Sequence, residues 1–213
     1  MRPAVKSLVA AAATAVALVI VGLIWIAIER SEAAESAATV SVTRPQSHVL
    51  DQGGTTAVTV VEFLDFECEA CGAFYPVVEE LRKEYVGEIT YVVRYFPLPG
   101  HFNSTNAAVA AEAAAQQGQF EPMYHRLFQT QAAWGEGQES RADLFRDYAA
   151  QLGLDMAAYD QAVADPATLA RVQSDYLEGQ TLGVASTPSF FVDDAPVALE
   201  RWTDLQEAIE AAR

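Results

Sequence analysis

The sequence predicts an α/β domain, interrupted by an all-helical segment and preceded by one N-terminal transmembrane helix. Three observations carry this prediction. Leu8–Ile28 is an unbroken uncharged run. Two stretches rich in β-branched residues, Val58–Phe66 and Ile89–Phe96, flank a helical pattern. The span 103–183 then shows helical spacing throughout, and strand character returns only at Ser189.

The apolar run comes first. At about 1.5 Å per residue it reaches roughly 31 Å, the thickness of a bilayer core. Arg2 and Lys6 precede it, so the positive-inside rule keeps residues 1–7 cytoplasmic and sends the remainder across. Trp25 falls near the outer interface. A cleaved signal peptide is the competing reading: Ala33-Ala34 and Ala37-Ala38 offer small residues for a peptidase, although the run is longer than a usual signal core. Both readings place the rest of the chain outside the cytoplasm, with single-pass attachment to the cell membrane as the main expectation. Residues 29–47 are small, polar and alanine-rich and read as a tether, with Thr39–Thr43 able to form a short edge strand.

Val58–Phe66 is nearly all apolar and reads as a buried central strand. Phe74, Val77, Val78 and Leu81 recur at helical spacing until Gly87. Ile89–Phe96 is the next strand, closed by Pro97-Leu98-Pro99-Gly100. Strand, helix, strand implies parallel pairing through a right-handed crossover. Helices are predicted over Ala107–Ala115, Phe120–Gln131, Arg141–Leu152, Asp155–Ala164 and Ala167–Leu182. Phe120, Tyr124, Leu127 and Phe128 lie on one face and read as core. Ser189–Val192 and Pro196–Leu199 form a hairpin across Asp193-Asp194, and a last helix runs from Trp202 to Ala212 with Thr203 as its cap. One α/β domain is thus expected over 48–102 and 184–213, with the insertion over 103–183.

The chain has 213 residues, 51% of them hydrophobic, and a formal net charge of −16. The first two figures permit a sizeable core and argue against wholesale disorder. The charge serves solubility and repels nucleic acid, which is excluded as a partner. A monomer is expected.

The only two cysteines are Cys68 and Cys71, directly after the first central strand. A disulfide closing so short a loop stabilises by only about 2 kcal/mol, so the pair points to chemistry rather than architecture. Zinc would need two further ligands, and His48, His101 and His125 supply no second half-site. No metal or cofactor is expected. Cys68 falls at the first turn of a helix, where unpaired N–H groups and the helix dipole stabilise a thiolate. It is expected to be exposed and nucleophilic. Cys71, one turn further in, is expected to be more buried and to resolve a mixed disulfide. His101, leaving the second strand, reads as a solvated loop histidine or as a wall of a substrate groove.

The run VEFLDFECEACGAFYP, followed far downstream by GVASTPSFFVDD, resembles the DsbA-type branch of the thioredoxin superfamily. The resemblance covers about residues 55–210. It implies a thioredoxin-like fold with an inserted helical domain, and thiol–disulfide exchange with exported proteins. It identifies Cys68 with the attacking cysteine and Cys71 with the resolving one. It matches Pro188 to a cis-proline against the pair, and Thr187 to the residue whose backbone pairs with a substrate strand. Glu62 matches a buried acid that exchanges protons with Cys71, the alternative being a strand-edge carboxylate facing water. Glu69-Ala70 departs from the proline or histidine frequent between the cysteines. Ser186 replaces a frequent glycine, and Asp193-Asp194 a frequent Asn-Gly. The implied role is a disulfide donor reoxidised by a quinone-linked membrane partner. A client-specific reductase or isomerase, and a peptide-binding chaperone module with incidental redox activity, are the alternatives.

Overall fold

The structure, a computed structural model, describes residues 40–213 together with Gly22 and Trp25. The predicted transmembrane run 8–28 and most of the tether therefore lie outside the described residues. Among the described residues no helix is long and apolar enough to cross a membrane.

Five strands form one sheet: β1 (His48–Asp51), β2 (Val58–Leu64), β3 (Ile89–Tyr95), β4 (Ser189–Val192) and β5 (Ala195–Pro196), in the order β1-β3-β2-β4-β5. β2 and β3 pair in parallel from Val58 opposite Ile89 to Leu64 opposite Tyr95, and every other pairing is antiparallel. The helix α1 (Glu69–Glu84) connects the parallel pair, as a crossover must. The period of two along β2 sends Val60, Glu62 and Leu64 to one face, and Val61 and Phe63 to the other. The first face packs on Phe74, Val78 and Leu81 of α1 and on the last helix, α7 (Asp204–Ala212), through Leu205 and Ile209. The second gathers Val92, Phe96, Val184 and Phe191. Cover on both faces explains why β2 reads as a continuous apolar run.

The inserted helices are α2 (Ser104–Ala115), α3 (Phe120–Gln129), α4 (Ala142–Gln151), α5 (Met156–Ala164) and α6 (Pro166–Thr181). Asp155 caps α5 by accepting from the amides of Ala157 and Ala158, at 2.9 and 3.0 Å. Asp165 caps α6 by accepting from Ala167 at 2.8 Å, with Pro166 at the first helical position. α6 lies close over the second sheet face: a Cβ on Gly179 would come within 2.8 Å of the Phe96 ring. Phe120, Tyr124, Leu127 and Phe128 are all buried.

Local structure differs from the sequence reading at four places. Residues 41–43 are not a strand. They pack against the domain instead, with Val42 buried and the Arg94 guanidinium donating to the carbonyls of Ser41 and Val42 at 3.3 and 3.1 Å. The edge strand is β1, whose His48 stacks on Phe120 at 3.8 Å and hydrogen-bonds Glu112 at 2.9 Å. α3 ends at Gln129, and a short 3-10 turn, Gln131–Ala133, follows. α7 is not capped by the Thr203 side chain; Asp204 accepts from the amides of Glu200 and Arg201, both at 2.7 Å. The second hairpin strand shrinks to two residues. The turn before it is Asp193-Asp194, both in the left-handed region at φ 46° and 66°, as a tight hairpin requires.

Candidate active site

β2 ends at Leu64, and the loop 65–68 carries the chain onto α1. Cys68 is the residue before the first helical turn, with φ −67° and ψ 122°. Its sulfur therefore faces the unpaired amides of Ala70 and Cys71, the donors a helix start leaves free. Cys71 lies inside the first turn and is fully buried. Both are free thiols.

The loop 184–188 brings Thr187 and Pro188 to the pair, and the Thr187–Pro188 bond is cis. The Cys68 thiol donates to the Thr187 carbonyl at 3.4 Å. The Thr187 hydroxyl is buried, has no other protein partner, and stands where it can donate to a Cys68 thiolate.

Cys68 is only 6% exposed, which corrects the expectation of an open sulfur. Part of the cover comes from Gln131, whose side-chain amide donates to the carbonyls of Phe66 and Cys68 at 2.7 and 2.9 Å. Gln131 fits there because residue 72 is glycine: a Cβ on Gly72 would lie 2.0 Å from the Gln131 Oε1. The 3-10 turn that ends α3 early is what aims Gln131 at the loop.

The two sulfurs are strongly unlike. A hydrogen bond from Cys71 lowers the Cys68 pKa; burial opposes it, and Thr187 and the amides of Cys71 and Ala70 add to it. The net value is about 6, against 9.0 for an ordinary thiol. Burial raises the Cys71 pKa well above its ordinary value, and its role as donor to Cys68 and the Glu62 charge raise it further. At neutral pH the reduced pair thus holds a thiolate at Cys68 and a thiol at Cys71.

Glu62 points to the same sheet face as α1 and is 2% exposed, with the Tyr91 hydroxyl donating to it at 2.5 Å. It is not a strand-edge carboxylate facing water. Burial raises its pKa to about 7 despite the Tyr91 hydrogen bond.

A polar network beside Cys68 was not read from the sequence. Asp65, buried, accepts from the amides of Glu67 and Leu98 at 2.9 and 3.0 Å, and from the Ser104 hydroxyl at 2.6 Å. His101 lies 2.7 Å from the same carboxyl, so it is part of this network and not a free solvated histidine. Burial lowers the His101 pKa, but Asp65 outweighs it and the net direction is upward. Glu67, also buried, accepts from the Asn103 amide at 2.5 Å. These bonds clamp the cysteine loop to the start of α2. Behind it, Phe66 packs on Tyr124 and Phe128 of α3, with ring centroids 6.2 and 5.2 Å away. Among the described residues no cluster of three potential ligands could hold a metal ion.

Residues 47–211 match the family described as Thioredoxin. A thioredoxin-like oxidoreductase from Silicibacter pomeroyi DSS-3 superposes with a TM-score of 0.66 at 31% identity, covering 81% of this chain and 95% of that one. BdbD from Bacillus subtilis superposes at 0.67 with 21% identity, over 78% of this chain and 92% of that one. Wolbachia pipientis α-DsbA1 gives 0.66 at 20% identity, over 80% and 92%. At those identities the last two share the fold. The Na(+)/H(+) antiporter NhaA 1 of Mycobacterium sp. (strain KMS) is 37% identical over 141 residues, 64% of this chain and 22% of the antiporter. The chain thus spans about a fifth of the length of such curated relatives, and no transport activity follows from the match. The chain belongs to the thioredoxin family. Its fold is a thioredoxin fold interrupted by helices, the fold it shares with BdbD and α-DsbA1.

Proposed function

We propose that the protein donates disulfides to exported proteins on the outer side of a cell membrane, anchored there by residues 8–28. The observation that carries the direction is the asymmetry of the pair. A stabilised Cys68 thiolate stabilises the reduced form, and a dithiol whose reduced form is stable is an oxidant.

The exchange proceeds in two displacements. A substrate thiolate attacks Cys68 Sγ of the Cys68–Cys71 disulfide; the S–S bond breaks, and Cys71 leaves and takes up a proton. A second substrate thiolate then attacks the substrate sulfur of the mixed disulfide, and Cys68 leaves as thiolate. The substrate loses two electrons and the pair gains them. The Thr187 backbone, beside Cys68, supports an extended substrate as an added strand. Glu62, at a pKa of about 7, supports the reading of a proton acceptor and donor for the buried Cys71. A quinone-linked membrane protein restoring the disulfide completes the cycle.

The test is the equilibrium potential of the pair against glutathione. A value near about −120 mV marks an oxidant; one near about −270 mV marks a reductant and overturns the direction. Cys71→Ala should accumulate mixed disulfides with exported proteins, and Cys68→Ala none.

A further inference from the structure

A cavity of about 290 Å³ opens beside Cys68, lined by Glu67, Glu69, Gln131, Ala132, Gly135 and Glu136. Three of its six lining residues are acidic. Glu69 and Glu136, both exposed, come within hydrogen-bonding reach of each other, one from the first turn of α1 and one from the turn after Trp134. Two carboxyls so placed repel unless they share a proton or a cation joins them. The Glu136 pKa is raised, first by the hydrogen bond to Glu69 and then by its charge. Glu67 adds an independent sign. It is 1% exposed, and its Oε1 accepts no hydrogen bond, while its other oxygen is held by Asn103. A buried carboxyl oxygen without a donor is costly, and a ligand that donates there relieves the cost.

Among the described residues, no cation of the protein is paired with a carboxyl of the cavity. Among the described residues, none of the ion pairs includes Glu67, Glu69 or Glu136. His101 reaches Glu69 and Glu136 only through its charge, and its Nδ1 is engaged by Asp65. The Gln131 amide is turned to the Phe66 and Cys68 carbonyls. Three or more groups with metal-holding geometry do not occur among the described residues, so a donor side chain fits better than a bare ion.

We propose that this cavity is a substrate subsite for a lysine or arginine side chain close in sequence to the reacting cysteine. The subsite rests on the oxidoreductase reading and deepens it. The cation bridges Glu69 and Glu136 and donates toward Glu67, and so seats the substrate sulfur at Cys68. Favoured clients are exported proteins with a basic residue flanking a reactive thiol.

The experiment uses the oxidised, detergent-solubilised full chain and dithiol peptides that differ only at the residue beside one cysteine: lysine, glutamine or glutamate. Reactions are quenched with acid and resolved by mass. The lysine peptide should be oxidised about tenfold faster than the glutamine peptide at low ionic strength, the size of a steering contribution at an acidic cleft. The readout is this ratio within each protein, so a change in intrinsic thiol reactivity cancels. Glu136→Gln and Glu67→Gln should each lower it severalfold, whereas Glu84→Gln, equal in charge but at the far end of α1, should not. A lysine preference that all three variants retain equally comes from the overall negative charge and overturns the subsite. A ratio near one in the unaltered protein also overturns it. Failure to oxidise any peptide overturns the oxidoreductase reading instead.

Discussion

Two buried carboxyls, Glu62 in β2 and Asp65 in the loop just after it, stand three residues apart, and each is at most 2% exposed. Their surroundings differ completely. Glu62 has one donor, the Tyr91 hydroxyl, and apolar residues around it. Asp65 has two backbone amides, the Ser104 hydroxyl and His101. Burial with few donors favours the protonated form and makes a proton carrier. Burial with many donors fills the lone pairs and makes an anchor. In the proposed cycle the floor beneath Cys71 exchanges a proton, while the wall beside Cys68 holds the cysteine loop still.

Removing the anchor should have the largest effect. Asp65→Ala strands the donors of Glu67, Leu98, Ser104 and His101 at once and should cost about 3–5 kcal/mol, the range for breaking a buried charged network. Urea unfolding of the reduced protein measures it. A loss below about 1 kcal/mol would show that water replaces the carboxyl and that the wall is not rigid.

Glu62 comes next, and its signature is pH. Its pKa is 4.5 when the chain is unfolded and about 7 when folded. The folded state therefore holds the proton more tightly. That contribution is fully present below pH 4.5 and is lost as pH rises through about 7. Across the window the unaltered protein should lose about 3 kcal/mol relative to Glu62→Gln. Subtracting the two unfolding curves removes the titration of Cys68 common to both. Parallel curves would mean that Glu62 is as well served as Asp65, and the contrast between floor and wall would collapse.

Thr187 tests the wall from the other side. Its hydroxyl has no protein partner except a Cys68 thiolate. Thr187→Val should raise the Cys68 pKa from about 6 and make the potential more negative by up to about 30 mV. For a lowered thiol pKa the linkage runs opposite to Glu62. The stabilisation of the reduced form is fully present above pH 9 and is lost as pH falls through about 6, so the variant differs most in the alkaline half of that window. Ultraviolet thiolate absorbance and a redox titration read the two quantities.

The parts legible in the sequence were those written locally. A β-branched run followed by Cys68 and Cys71 announces strand, loop and helix start within a dozen residues, and Thr187-Pro188 stands immediately before a strand. The helical insertion was legible because apolar spacing and the breaks at Gly118, Gly153 and Pro166 are local too. What stayed hidden depends on distant contacts. Gln131 meets the cysteine loop from 63 residues away, and only the early end of α3 turns it there. Cys68 is covered from distant segments too, by Gln131 and Thr187, so position at a helix start could not give its exposure. Asp65 takes Leu98, His101 and Ser104 from beyond α1 and β3. β1 spells His-Val-Leu-Asp, whose polar ends conceal a strand that is fixed by pairing to β3 and by the Phe120 ring.

The smallest effect should come from the residue that first draws the eye between the cysteines. A carboxylate at Glu69 repels a thiolate at Cys68 and opposes the helix start, which pulls the Cys68 pKa down. The repulsion is weak here. Glu69 is exposed, so water and salt screen it. The contributions that set the Cys68 pKa are Cys71, burial, Thr187 and the amides of Cys71 and Ala70. Glu69→His should therefore lower the Cys68 pKa by less than about one unit and make the potential less negative by less than about 30 mV at low salt. An unchanged or more negative potential in Glu69→His would leave the redox poise wholly to the wall and the floor, with the residues between the cysteines serving only substrate choice.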